Sequence, residues 1–229
     1  MKKLLLLHGA LGAASLMEPL AERLCGNFEV QTLNFSGHGG KQFAADFGIE
    51  QFTSEVLDFL NENDLEQADI FGYSMGGYVA LNLARLHPER VGKIVTLATK
   101  FDWTPAGAER ESKMLDPDKI EAKVPAFAKQ LQERHAPNDW KILLQKTAEM
   151  MLALGQSPLL SVEVLANIQN PSLVCIGDAD QMVGLAETTQ SAEALPNGQL
   201  RVLEQTPHPL EKIEVSVLTT LLCSFLIDC

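Results

Sequence analysis

The sequence predicts an α/β protein: a doubly wound, mostly parallel sheet of about six strands carrying a helical insertion. Three observations lead there. Short apolar runs alternate with segments of helical period. Most of those runs lack polar alternation, as strands covered on both faces do. One long stretch, from about residue 101 to 168, carries helix signals and no convincing strand.

The first run, Leu4–Leu7, sits in "MKKLLLLHGALGAAS". Two lysines before leucines could open a secretory signal, but such a segment needs an apolar core of roughly 7–15 residues. Here His8 and Gly9 end the run after four leucines, which favours a buried strand entering a glycine turn. Val30–Phe35, Ile70–Gly72, Val91–Leu97, Leu173–Gly177 and Leu200–Leu203 read as the other strands. Between them, Leu16–Leu24, Ile49–Asn61, Met75–Leu86, Leu185–Ala194 and Pro209–Ile227 read as helices.

Within 101–168 the start and stop signals are those of helices. Thr104 before Pro105, and Asp116 before Pro117, pair an N-cap with an N1 proline. Asn138 can cap a helix over 139–154 that Gly155 ends, and Ser161 can cap a last short one. The expected division is a core of residues 1–100 and 169–229 with 101–168 inserted as a helical lid.

Composition narrows the function classes. The 229 residues suit one sizeable core, and the balance of 46% hydrophobic to 21% charged is that of a globular protein. A net charge of −12 repels phosphate backbones, so nucleic acid is not an expected partner. No run reaches the ~18 apolar residues of a membrane span. Cys25, Cys175, Cys223 and Cys229 form no CxxC pair, and reduced thiols in a cytoplasmic protein are expected.

The chemistry concentrates in "DIFGYSMGGYVALNLARLHPER", which contains G-x-S-x-G as Gly72-Tyr73-Ser74-Met75-Gly76. The motif follows a strand and opens a helix whose Val79, Leu83 and Leu86 share a face, the setting it requires. A sharp turn there lifts Ser74 above the sheet, and glycines at 72 and 76 leave room where a Cβ would clash. The helix start leaves the Met75 N–H free to face an oxyanion.

On these residues the chain resembles the α/β-hydrolase superfamily, in its compact lidded branch of small carboxylesterases, iminopeptidase-like enzymes and a menaquinone-pathway lyase. "LLLLHGALG" is similar to that branch's strand and oxyanion loop, and "NFSGHGG" to its D-x-x-G-H-G turn. The resemblance implies a second oxyanion donor at the Ala10 N–H, with Leu11 as the alternative. It also implies a late histidine base and a carboxylate between serine and base.

Five histidines compete for the base. His8 and His38 sit in glycine turns and are expected to brace them. His87 ends a helix, and His135 lies on a polar segment where solvation is expected. His208, in "EQTPHPLEK" between the last strand and last helix, stands where the family keeps its base, although Pro207 replaces the more usual glycine. For the acid, "LVCIGDADQMV" offers Asp178 and Asp180, and Asp102 follows another strand. The family's strand-G-x-x-D pattern selects Asp180. Two aspartates without further ligands make a poor metal site, so neither metal nor cofactor is expected.

These readings combine into a serine hydrolase acting on a small or medium ester or thioester, a small-molecule substrate. Beside Leu11 and Tyr73, expected pocket residues are Trp103, Met114, Trp140, Met151 and Met182, with Phe101, Met150 and Leu152 as further candidates, although Met and aromatics on helices more often fill cores. A lyase of the menaquinone-pathway type is the first alternative. It would need arginines for a polyanionic substrate, and Arg110 and Arg134 are the candidates, since position 78 holds Tyr. A non-catalytic small-molecule binder is the second.

Overall fold

The computed structural model describes residues 1–227. Its strands are β1 (Lys2–Leu7), β2 (Phe28–Thr32), β3 (Ala68–Tyr73), β4 (Val91–Leu97), β5 (Ser172–Gly177) and β6 (Gly198–Leu203). They form one six-stranded sheet in the order β2-β1-β3-β4-β5-β6, with every pairing parallel. Helices α1 (Glu18–Leu24), α2 (Ile49–Glu62), α3 (Met75–Leu86), α9 (Leu185–Ala194) and α10 (Val215–Leu226) cover it.

Side chains alternate across a strand, and β1 shows what that does here. Leu5 and Leu7 enter the core beneath α2 and α3, with Ile70, Phe52 and Val79. Leu4 and Leu6 enter the opposite core beneath α1 and α10, with Phe71, Val95 and Leu222. All four leucines are buried, so the opening stretch is an inner strand paired on both sides.

Between β4 and β5 lie α4 (Pro105–Ser112), α5 (Pro117–Lys123), α6 (Pro125–His135), α7 (Trp140–Gln156) and α8 (Val162–Leu165), with no strand. Thr104, Asp116 and Ser161 cap α4, α5 and α8 through their side chains, as the sequence signals imply. The α7 cap differs: Asp139 accepts from the Lys141 N–H, while Asn138 Nδ2 donates to the Gly37 and Lys41 carbonyls and ties the insertion to the glycine turn. Gly155 does not end α7. It lies inside the helix, where an added Cβ would stand 2.5 Å from Ala108 of α4, so it serves close helix packing.

Other differences are at element ends. α1 begins at Glu18 after a 3₁₀ turn over Ala14–Met17. β2 starts at Phe28, which pairs with Lys2. α10 starts at Val215 rather than Pro209, after a 3₁₀ turn at Leu210–Lys212. Leu210 and Ile213, three apart, both bury in the lower core, a spacing that a three-residue turn satisfies. Cys175 is buried, Cys25 exposed and Cys223 intermediate, all free thiols; Cys229 lies outside the described residues. No helix among the described residues is long and apolar enough to cross a membrane.

Candidate active site

The strand order reverses between β1 and β3: from β1 the chain moves to one side, from β3 to the other. Loops leaving two such strands diverge and open a crevice at their carboxyl ends. The loop after β1 carries Ala10 and Leu11, and the turn after β3 carries Ser74. Topology thus brings the two sequence motifs together.

Ser74 has φ 51° and ψ −116°, a conformation that side chains rarely adopt. The turn is locked from several directions. Its amide donates to the Leu97 carbonyl at 2.8 Å, and its carbonyl accepts from Thr99 Oγ1 at 2.9 Å. A Cβ on Gly72 would meet the Gly76 carbonyl at 2.4 Å, and one on Gly76 would meet the Leu7 carbonyl oxygen at 2.4 Å. At both positions a side chain would force the backbone to shift, which favours glycine.

His208 follows β6 in a loop and Asp180 follows β5. His208 Nδ1 lies 2.8 Å from Asp180 Oδ2, and Asp180 Oδ1 accepts from the Met182 and Val183 amides at 2.8 and 3.0 Å. Burial pushes the Asp180 carboxyl up, but the His208 hydrogen bond and the two amides outweigh it and hold the group below its ordinary range. The Tyr73 hydroxyl donates to the His208 carbonyl at 2.8 Å, and burial raises its phenol. No hydrogen bond joins the Ser74 hydroxyl to His208 among the described residues, but both residues border the same cavity. Catalytic hydrogen bonds are often long before a ligand binds.

That space has two parts. A narrow cavity of about 60 Å³ is bordered by Ser74, His208, Ala10, Met75 and Trp103. An open groove of about 600 Å³ shares Ser74, His208 and Ala10 and adds Leu11 and Tyr73. Met151 and Met182 border both. A hydroxyl, an imidazole and a carboxylate beside such a space can relay a proton during attack on a bound carbonyl.

Two expected pocket residues are elsewhere. Met114 lies in the 3₁₀ turn at Lys113–Leu115, is 54% exposed and borders neither space; the tight turn directs Leu115 inward to the groove instead. Trp140 opens α7 and is buried in the insertion's own core with Leu131, Leu143 and Leu144, which its large ring helps fill. Phe101 packs in the main core beside Tyr78, and Leu152 is exposed. Arg110 is exposed, and Arg134 Nη1 donates to the Leu11 carbonyl at 2.9 Å while its Nη2 reaches Glu211 at 3.3 Å.

His135 is not solvated but fully buried. Its Nε2 donates to the same Leu11 carbonyl at 3.0 Å and its Nδ1 accepts from the Gly39 amide. His8 donates through Nδ1 to the Gly9 carbonyl and accepts at Nε2 from the Phe35 amide. With His38 between them, at ring-centroid distances of 5.0 and 5.8 Å, they form a buried cluster behind the loop that follows β1. Burial lowers all three, His8 and His135 to about 4, so each is a neutral brace.

Sequence reasoning missed Lys100 and Glu111, which border the narrow cavity. The available signal was a lysine just past β4, at the carboxyl edge where ligands of open α/β sheets bind. Nothing local marked Glu111.

Residues 2–137 match the family described as alpha/beta hydrolase fold. A pimeloyl-[acyl-carrier protein] methyl ester esterase of Vibrio parahaemolyticus is 25% identical over 231 residues, spanning 90% of this chain and 86% of that protein. A thermophilic esterase from Thermogutta terrifontis superposes with TM-score 0.76 at 20% identity, covering 99% of this chain and 89% of that one. MenH from S. aureus superposes with TM-score 0.78 at 20% identity, covering 98% and 93%. At those identities the solved structures speak for the fold, and with the family match spanning more than half of the sequence, the chain belongs to the α/β hydrolase fold family.

Proposed function

We propose that this protein is a serine hydrolase that cleaves a small or medium carboxylic ester or thioester through an acyl-enzyme. Ser74 is the nucleophile, His208 the general base and Asp180 the carboxylate that orients it. The observation that carries the reading is the 2.8 Å Asp180–His208 hydrogen bond at the mouth of the cavity that the strained Ser74 turn enters. His208 takes the Ser74 proton as Oγ bonds to the carbonyl carbon, then returns it to the departing alcohol or thiol. The Ala10 and Met75 amides carry the negative charge on the carbonyl oxygen. A water, deprotonated by the same imidazole, then releases the acid and regenerates Ser74. Residues 101–168 act as the lid, with Met151 and Trp103 as walls of the acyl side, and Leu11, Tyr73 and Met182 along the groove.

The esterase relatives support ester chemistry as the class. The lyase alternative has less support, because Arg110 is exposed and Arg134, although it borders the groove, is already bonded to the Leu11 carbonyl and to Glu211, whose charge offsets its own. The lysine at the cavity, Lys100, stands between two glutamates.

Two measurements test the proposal together. A fluorophosphonate is expected to add to Ser74, located by mass spectrometry, and p-nitrophenyl esters of rising chain length are expected to turn over. Turnover that persists in Ser74→Ala removes Ser74 from the reaction. A silent wild type with no adduct favours a binder or a lyase.

A further inference from the structure

We infer that Lys100, Glu111 and Trp103 form a polar subsite in the Ser74 cavity that selects an acyl group carrying a neutral oxygen function, a hydroxyl or a carbonyl, away from the scissile bond. The inference rests on the hydrolase reading above, whose acyl side it specifies.

Away from Ser74 and His208 the narrow cavity is walled mostly by apolar side chains, Ile49, Met75, Met150 and Leu154 among them. The Tyr78 hydroxyl accepts from the Leu159 and Leu160 amides, which leaves its own O–H as a further donor at the cavity wall. Lys100 Nζ stands 3.7 Å from Glu111 Oε1 and 3.8 Å from Glu187 Oε1, and 5.7 Å from the centre of the Trp103 ring. Those are ion-pair separations, longer than hydrogen bonds. Glu187 is saturated by the Phe101, Asp102 and Gly184 amides at 2.8, 2.7 and 3.0 Å.

Lys100 and Glu111 are not saturated. Their side chains are 16% and 10% exposed, and neither makes a hydrogen bond among the described residues. The Trp103 Nε1 is buried and has no partner either. A buried donor without a partner, as Trp103 Nε1 is, costs free energy, and a ligand that bonds to it and shortens the loose Lys100–Glu111 contact into hydrogen bonds recovers that cost. The missing partner is defined by what is there. Lys100 and Trp103 offer donors and Glu111 an acceptor, so a hydroxyl can accept from one side and donate to the other, and a carbonyl can accept. One ammonium against two carboxylates leaves the cluster net negative, which opposes a second carboxylate on the substrate.

The test walks a hydroxyl along a p-nitrophenyl hexanoyl ester, from carbon 3 to carbon 6, and compares each isomer with the plain ester. At one position the wild type is expected to prefer the hydroxylated ester about tenfold in kcat/KM, the net size of one ordinary hydrogen bond. Lys100→Met and Trp103→Phe are each expected to erase that ratio. Equal kcat/KM at every position in the wild type overturns the subsite, and so does a preference undiminished in both variants. If no ester turns over and Ser74 takes no fluorophosphonate, the hydrolase reading fails by itself. The subsite is then read by calorimetric titration of hexanamide against the hydroxyhexanamides, where tighter binding of one hydroxy isomer supports it and equal binding overturns it.

Discussion

Asp180 Oδ2 and His208 Nδ1 meet at 2.8 Å although 28 residues separate them, and the other Asp180 oxygen is fixed by two backbone amides. The carboxylate is therefore aimed before any substrate arrives. Replacing it by Asp180→Asn removes the charge that stabilises an imidazolium and favours the wrong tautomer. The expected result is a 10³–10⁴-fold fall in kcat on a p-nitrophenyl ester, by analogy with other such triads. KM should move far less. A loss smaller than tenfold would place the orienting acid elsewhere, at Asp178 or Asp102.

The insertion reaches the loop after β1, proposed to supply an oxyanion donor, through Leu11, which has φ 58° and whose carbonyl accepts from both Arg134 and His135. A residue in that backbone conformation persists because its surroundings hold it there. Arg134→Met is expected to lower kcat about tenfold, with Arg134→Lys recovering part of the loss. Unchanged kcat in both variants would show that the loop holds its shape unaided.

Acid should unfold this protein over a defined range. His8 and His135 titrate near 4 in the fold and near 6.5 when unfolded, and burial lowers His38 as well. Between those values the unfolded chain binds more protons, so stability falls as the pH drops from 6.5 towards 4. Each histidine contributes a slope of about 1.4 kcal/mol per pH unit. Asp180, lowered in the fold, acts in a separate range and loses its contribution only below the ordinary aspartate value. Urea midpoints at several pH values measure this. A flat profile between pH 6.5 and 4.5 would contradict the buried histidine cluster.

Gly76→Ala is expected to destabilise the fold by about 1–3 kcal/mol, the usual range for forcing atoms into a filled site. Its Cβ would stand 2.4 Å from the Leu7 carbonyl oxygen and 2.8 Å from that of His8, backbone that can yield only by deforming the turn and the start of the loop after β1 together. Chemical denaturation gives the stability, and ester hydrolysis the accompanying loss in rate.

Met114 and Met151 provide a contrast within the insertion. Met151→Ala is expected to shift the preferred acyl chain length of p-nitrophenyl esters upward, since it borders both the cavity and the groove. Met114→Ala is expected to leave that profile unchanged, because Met114 is exposed and borders neither. A reversed result would mean that the insertion closes differently during turnover.

Much of the fold was legible because strand and helix periods are local. Four successive leucines need cover on both faces, and a serine flanked by glycines between a strand and a helix needs a sharp turn. The candidate residues Ser74, Asp180 and His208 could be named by type, by their places after strands and by family resemblance. Pocket residues were harder to read. Methionine and tryptophan look alike in sequence whether they fill a core or line a cavity: Trp140 is buried in the insertion and Met114 is exposed, while Met151 and Trp103 border the cavity. His135 looked solvated because its neighbours in sequence are polar, but its partners come from residues 11 and 39.

By itself, then, the sequence determined the parallel sheet, the helical interruption and the glycine-bounded serine turn, since each depends on forces among residues close in the chain. Only the tertiary structure decided that β1 and β3 would open a crevice between them, and that Lys100, Glu111 and Trp103 would border one cavity with Ser74. Burial and the strength of an ion pair depend on distances in space. Those distances arise when the sheet order and the packing of the insertion bring separate segments together, and no local pattern encodes them.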